Sequence, residues 1–131
     1  PGKEIKFGEI QIRAVHAYNT EEGRSTQKVH HKGYGVGYCI TIDGKTIYHA
    51  GDTDFIGEMR ELGPIDAALL PIGGTYTMDV DEAVKAALAI KPKVVIPMHH
   101  AKADPHELKK KLEAISDIVV MPLQIGEIYY L

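Results

Sequence analysis

Cysteine is nearly absent from this chain: Cys39 is the only one in 131 residues. A single thiol excludes a disulfide framework and a thiolate metal cluster, and its place inside an apolar run fits a reducing, cytoplasmic interior. Surplus positive charge is missing too. Fifteen Lys and Arg against eighteen Asp and Glu leave a net charge of −3 with histidine neutral. That gives no basic face for nucleic acid and no polybasic patch for a membrane. No apolar run approaches membrane-spanning length, and Pro1-Gly2-Lys3 opens no signal peptide. The chain also lacks an initial Met, which points to a processed or cut N-terminus. Repeats, low-complexity tracts and interdomain linkers are absent. What is present is an ordinary globular composition, 44% apolar and 25% charged, in one domain, 1–131, long enough for its own core.

The first third reads as antiparallel strands. Ile5, Phe7, Ile10, Ile12 and Val15 alternate with polar residues around a Gly8-Glu9 turn, the mark of a hairpin. The polar stretch Asn19 to Lys32 has no apolar period and reads as a loop that cannot form a core element. Gly33 to Ile42 and Lys45 to His49 read as strands joined by Asp43-Gly44, a two-residue hairpin turn. The second strand ends at Gly51, where a tight exit presents Asp52, Thr53 and Asp54 at the rim of the sheet. Asp52 or Thr53 reads equally as a cap for the next segment, Phe55 to Leu62, whose apolar spacing predicts a helix stopped by Gly63-Pro64.

From there the rhythm becomes strand and helix in alternation. Ala67–Ile72 and Val94–Met98 are apolar without alternation, as strands covered on both faces are. Asp79 with Glu82 forms a capping box for a helix through Ile90, with Val80, Ala83, Val84, Ala87 and Leu88 as its stripe. Asp104-Pro105-His106-Glu107 repeats the device for a helix carrying Leu108, Leu112 and Ile115. Ile118–Met121 and Ile128–Leu131 read as two last short strands.

Three strand ends could carry chemistry: Asp52, Gly73-Gly74-Thr75, and His99-His100. Neighbouring strands would line them along one sheet edge. An imidazole and a carboxylate converging there can bind a divalent metal, and two carboxylate oxygens can bridge a pair of ions. His30 and His31 in the polar loop, with His16 and His49, add further donors. A histidine at a strand end is more often a surface or hydrogen-bonded residue than a ligand. Gly73 and Gly74 before a helix could hold a phosphate, but the lysine and spacing of a P-loop are missing, so a plain turn is the simpler reading.

Three strings resemble the metallo-β-lactamase superfamily: Gly37 to Asp54, ending His-Ala-Gly-Asp-Thr-Asp; Leu69 to Asp79, Leu-Leu-Pro-Ile-Gly-Gly-Thr-Tyr-Thr-Met-Asp; and Pro92 to His100, ending Pro-Met-His-His. The resemblance is to its metal-dependent hydrolase branch, related to sugar-phosphate lactonases, and covers nearly the whole chain. It implies a metal-bridging role for Asp52 and a ligand role for His99. Through Ala17-Tyr18-Asn19 and His30-His31-Lys32-Gly33 it implies a further ligand at His30, with His16 the second choice. The implied cofactor is a divalent metal, zinc or manganese, and the implied substrate a small molecule. The family's His-x-His-x-Asp-His string, which supplies most ligands of the first metal, is absent. The resemblance therefore implies an α/β fold that is the C-terminal half of an αβ/βα sandwich, inactive alone. The alternative is a non-catalytic metal-binding or interaction module. Because the crossover helices can cover only one sheet face, a partner is expected on the other: the N-terminal half, separate or cleaved, or a second copy of the chain, over about 2,000 Å² or more.

Overall fold

The computed structural model describes residues 1–131 and contains one seven-stranded sheet whose spatial order is its chain order. The strands are β1 (Glu4–Phe7), β2 (Ile10–Ala17), β3 (Gly35–Ile42), β4 (Lys45–His49), β5 (Ala67–Pro71), β6 (Val94–Met98) and β7 (Val119–Val120). β1 to β4 pair antiparallel, β1 with β2 and β3 with β4 through two-residue turns and β2 with β3 across the long polar loop, and β4 to β7 pair parallel. The change follows from the connections. Asp43 and Gly44 both take positive φ, 51° and 73°, which closes a two-residue turn. A parallel pair needs a long crossover, supplied by α1 (Val80–Ile90) and α2 (Pro105–Glu113).

The two sheet faces differ sharply. One register row, Cys39–Tyr48–Ala68–Val95–Val120, is buried against Ala83, Ala86, Ala87 and Ile90 of α1 and Leu108 and Leu112 of α2. The adjacent row, Ile5–Ile12–Ile40–Ile47–Ala67–Val94–Val119, points the other way. It ends on exposed residues, Ile5 at 61% and Val119 at 44%, with only the central Ala67 and Val94 buried. All helices therefore cover one face, as right-handed crossovers require. No helix is long and apolar enough to cross a membrane.

Several local expectations are corrected. Phe55 to Leu62 holds only a 3-10 helix, Gly57–Glu61, whose N-cap Ile56 makes no side-chain cap bond. Gly57 and the nearby Gly63-Pro64 leave too few residues for an α-helix to nucleate. Asp79 caps α1 by accepting the Glu82 N–H, but Glu82 does not reach back; its Oε1 accepts the Arg24 N–H instead. The α1 stripe is rotated: Ala86 and Ile90 are buried while Leu88 is 39% exposed. Ile115 lies beyond α2 and is 62% exposed. Ile128–Leu131 is not a strand and pairs with neither edge of the sheet.

Candidate metal centre

β4, β5 and β6 run parallel, so their C-terminal ends share one edge, where α/β sheets place their sites. Asp52 leaves β4 through Gly51, whose φ is +70°; a Cβ there would stand 2.7 Å from the Val36 carbonyl oxygen. Only glycine fits that exit. His99 leaves β6 with φ +51° and Ala101 follows with φ +49°, left-handed backbone that costs about 1–2 kcal/mol for a residue bearing a Cβ. Such strain at a strand end marks a place where surrounding structure dictates the backbone. Gly73, at the end of β5, makes room for it: a Cβ at Gly73 would lie 2.7 Å from the His99 carbonyl oxygen and 3.3 Å from its Nδ1.

The Asp52 carboxylate stands between two imidazoles. Its Oδ2 is 3.4 Å from His30 Nε2, and its Oδ1 is 3.6 Å from His99 Nε2. Asp52 caps no helix, which removes the competing reading of that residue. His30 Nδ1 lies 3.2 Å from the Tyr76 carbonyl oxygen, which can only accept. Nδ1 therefore carries a proton in this arrangement, and the other ring nitrogen, Nε2, is the one turned toward Asp52. Lone pair against carboxylate is repulsive unless a proton or a cation lies between. Donors about 2.1 Å from one tetrahedral ion are about 3.4 Å apart, so these separations suit neighbouring ligands of a zinc-like ion. A second hydrogen bond through the other ring nitrogen is the usual support of a metal-binding histidine. The chain by itself does not close a cage: no three His, Cys, Asp or Glu side chains gather at metal-holding geometry.

The other predicted donors are placed as follows. His16, on β2, pairs with Val36 of β3, stands edge-on to Tyr18 with ring centroids 6.1 Å apart, and leaves a buried Nδ1 without a partner. It does not approach the Asp52 carboxylate as His30 and His99 do. His49 Nδ1 accepts the Gly51 N–H at 3.2 Å, and His31 stacks edge-on near Tyr34. Gly73-Gly74-Thr75 is no phosphate cradle: Gly74 N–H donates to Met78 O, while Gly74 O and Thr75 O accept from Thr26 and Gln27 of the polar loop.

Asp54 is the residue that pattern reading missed. It is fully buried, and its Oδ2 accepts from Thr20 N–H (2.8 Å), Ser25 Oγ (2.8 Å) and Lys28 Nζ (3.3 Å). Next to it Thr53 Oγ1 accepts the Tyr18 N–H at 3.1 Å. The polar loop is thus built around a buried carboxylate instead of an apolar cluster. Its concentration of Asn, Thr, Ser and Lys was the available signal, since so many donors need an acceptor.

Residues 1–99 match a family model described as a beta-lactamase superfamily domain. A metal-dependent hydrolase of Thermococcus kodakarensis is 43% identical over 127 residues, which are 90% of this chain and 53% of that protein. A metallo hydrolase from the archaeon Ignicoccus hospitalis superposes with a TM-score of 0.80 at 37% identity, over 96% of this chain and 56% of its own. A metallo-beta-lactamase fold protein of Bacillus subtilis shares the fold at 13% identity, with a TM-score of 0.71 over 92% of this chain and 49% of its own. The chain spans about half the length of the relatives it matches.

Proposed function

This chain belongs to the beta-lactamase superfamily, and from that premise we propose that it is the C-terminal half of a metal-dependent hydrolase acting on a small molecule. The observation that carries the reading is Asp52, with one oxygen toward His30 Nε2 and the other toward His99 Nε2. A carboxylate used on both oxygens suits a bridge between two ions, with His30 and His99 as ligands and zinc or manganese as the metal. A divalent ion held by Asp52, His30 and His99 would supply Lewis-acid chemistry, lowering the pKa of water toward about 7 and polarising a scissile bond. The chain's own residues orient the donors: the Tyr76 carbonyl holds the His30 ring, and Gly73 admits the strained His99 backbone.

The complementary half supplies the remaining ligands and covers the open sheet face. The chain's length, about half that of its relatives, supports this arrangement. Calorimetric titration of zinc or manganese into the chain, alone and mixed with the complementary half, tests the reading. Metal should bind the mixture tightly, and Asp52→Ala or His99→Ala should weaken binding by at least 10–100-fold, the roughly expected minimum since support residues alone count for that much. Binding that ignores both substitutions, or no binding with both halves present, sinks the assignment.

A further inference from the structure

Asn19 lies just past the end of β2 and uses its backbone N–H and both side-chain polar atoms around the His30 segment. Its backbone N–H donates to His30 O at 2.8 Å, and its Oδ1 accepts the His30 N–H at 2.9 Å. Its Nδ2 donates to Tyr76 O at 2.9 Å, the same carbonyl that receives His30 Nδ1–H at 3.2 Å. The same Nδ2 lies 3.3 Å from Asp54 Oδ1 and 3.4 Å from Ser25 Oγ. His30 is thereby held at its amide, its carbonyl and, through the shared acceptor, its ring.

We propose that Asn19 is the positioning residue for His30, fixing its backbone and aiming the Tyr76 carbonyl that selects the ring tautomer, with buried Asp54 as the anchor. The loop between Asn19 and Lys32 contributes only Ser25 to the buried set, so packing cannot set the direction of His30. Hydrogen bonds must do it. The anchor is itself over-determined, because Thr20, Ser25 and Lys28 converge on Asp54 Oδ2. Asparagine is the residue type the job needs. Aspartate would accept from the His30 amide but could not donate to Tyr76 O, and would set a second carboxylate against Asp54. Alanine offers neither bond. The metal-site reading gives this positioning its purpose, since a misaimed His30 would be a weaker ligand, but the claim about ring and tautomer stands apart from any metal.

The test is the long-range nitrogen–proton NMR spectrum of the histidine rings in the full chain, recorded well above the imidazole titration range. In the unaltered protein His30 should be the Nδ1–H tautomer. In Asn19→Ala it should shift to a mixture rich in Nε2–H, while the His99 ring signals keep their positions and report an intact fold. Zinc affinity, measured in parallel with the complementary half present, should fall by about 10–100-fold, as for other residues that support a ligand. A folded Asn19→Ala chain that keeps His30 as Nδ1–H overturns the proposal. So does an Nε2–H tautomer in the unaltered chain, a measurement that needs no variant. If Asn19→Ala does not fold, Asn19→Ser, which keeps one short polar group, should show the same shift in direction, and an unchanged tautomer there overturns the proposal equally. A tautomer shift with no zinc binding by either protein supports the positioning role and counts against the metal reading, so the two fail separately.

Discussion

Glu82 in the first turn of α1 is 5% exposed; its Oε1 accepts the Arg24 N–H at 3.2 Å and its Oε2 meets no partner. Burial pushes its carboxyl above the usual value, and Asp54 acts in the same direction. The folded chain then holds the Glu82 proton to higher pH than the unfolded chain does. Stability attributable to this group falls as pH rises from about 4.5 through the raised folded value. Glu82→Gln keeps an acceptor for Arg24 and removes the charge. It should raise the melting temperature at pH 8 by about 2–5 °C, on the order of 1 kcal/mol, with the gain vanishing toward pH 4. Thermal unfolding at several pH values checks this, and a pH-independent difference would contradict it. Position alone marks Glu82 as an ordinary capping glutamate, because its burial depends on the polar loop folding over α1.

Asp66, immediately before β5, ties three strands together at the edge opposite the metal centre. Its Oδ2 accepts the Thr46 N–H at 2.8 Å, its own N–H donates to Thr46 O, and its carbonyl accepts the Val94 N–H. The Thr46 amide, and after it Lys93 at 3.2 Å, holds the Asp66 carboxyl below the usual carboxylate value. Its contribution is therefore complete above the unfolded value of 3.8 and is lost as pH falls through the lower folded value. Asp66→Ala should cost about 1.5–3 kcal/mol at neutral pH, the range for a bond to a charged group. The gap from the unaltered chain should close below pH 3.8; denaturant unfolding at pH 7 and at low pH measures both. At this scale the strands were legible, since alternation and unbroken apolar runs report one or two covered faces. The segment after Asp54 and the tail at Ile128 were not. A short apolar stretch takes its conformation from what it packs against, and neither has a partner that would complete an α-helix or a strand.

The whole molecule exposes 7729 Å² of surface. A 14.4 kDa monomer is expected to expose about 6,800 Å² by the usual scaling, and the excess is in keeping with the bare sheet face. Phe7 at 78% and Ile5 at 61% stand at one end of that face, and Tyr38 at 42% lies further in. Exposed apolar residues gathered on one sheet face mark a surface suited to a partner. The chain by itself should therefore self-associate at micromolar concentration. Mixing it with the complementary half should convert it to a one-to-one complex burying about 2,000 Å² or more. Analytical ultracentrifugation distinguishes the outcomes. A monodisperse monomer that ignores the complementary half would show that this face needs no cover.

Sequence by itself determined the seven strands of the sheet, the two crossover helices with their N-cap residues Asp79 and Asp104, and the three strand ends on which chemistry could sit. These are local properties: periodicity, turn residues and cap residues act within a few positions of one another. It also marked Asp52, His30 and His99 as residues to watch, though only as separate points on the chain. Tertiary structure decided that His30 and His99 face opposite oxygens of Asp52, whereas His16 turns to Tyr18. It also decided that Asp54 is a buried anchor and that Glu82 turns from its own helix to Arg24. Apart from His16 with Tyr18, those outcomes join residues far apart in the chain, as Asn19 joins Asp54 and Tyr76 and Arg24 joins Glu82. No local pattern encodes such a pairing, because the loop acquires its partners only once the parallel strands have brought their ends to one edge.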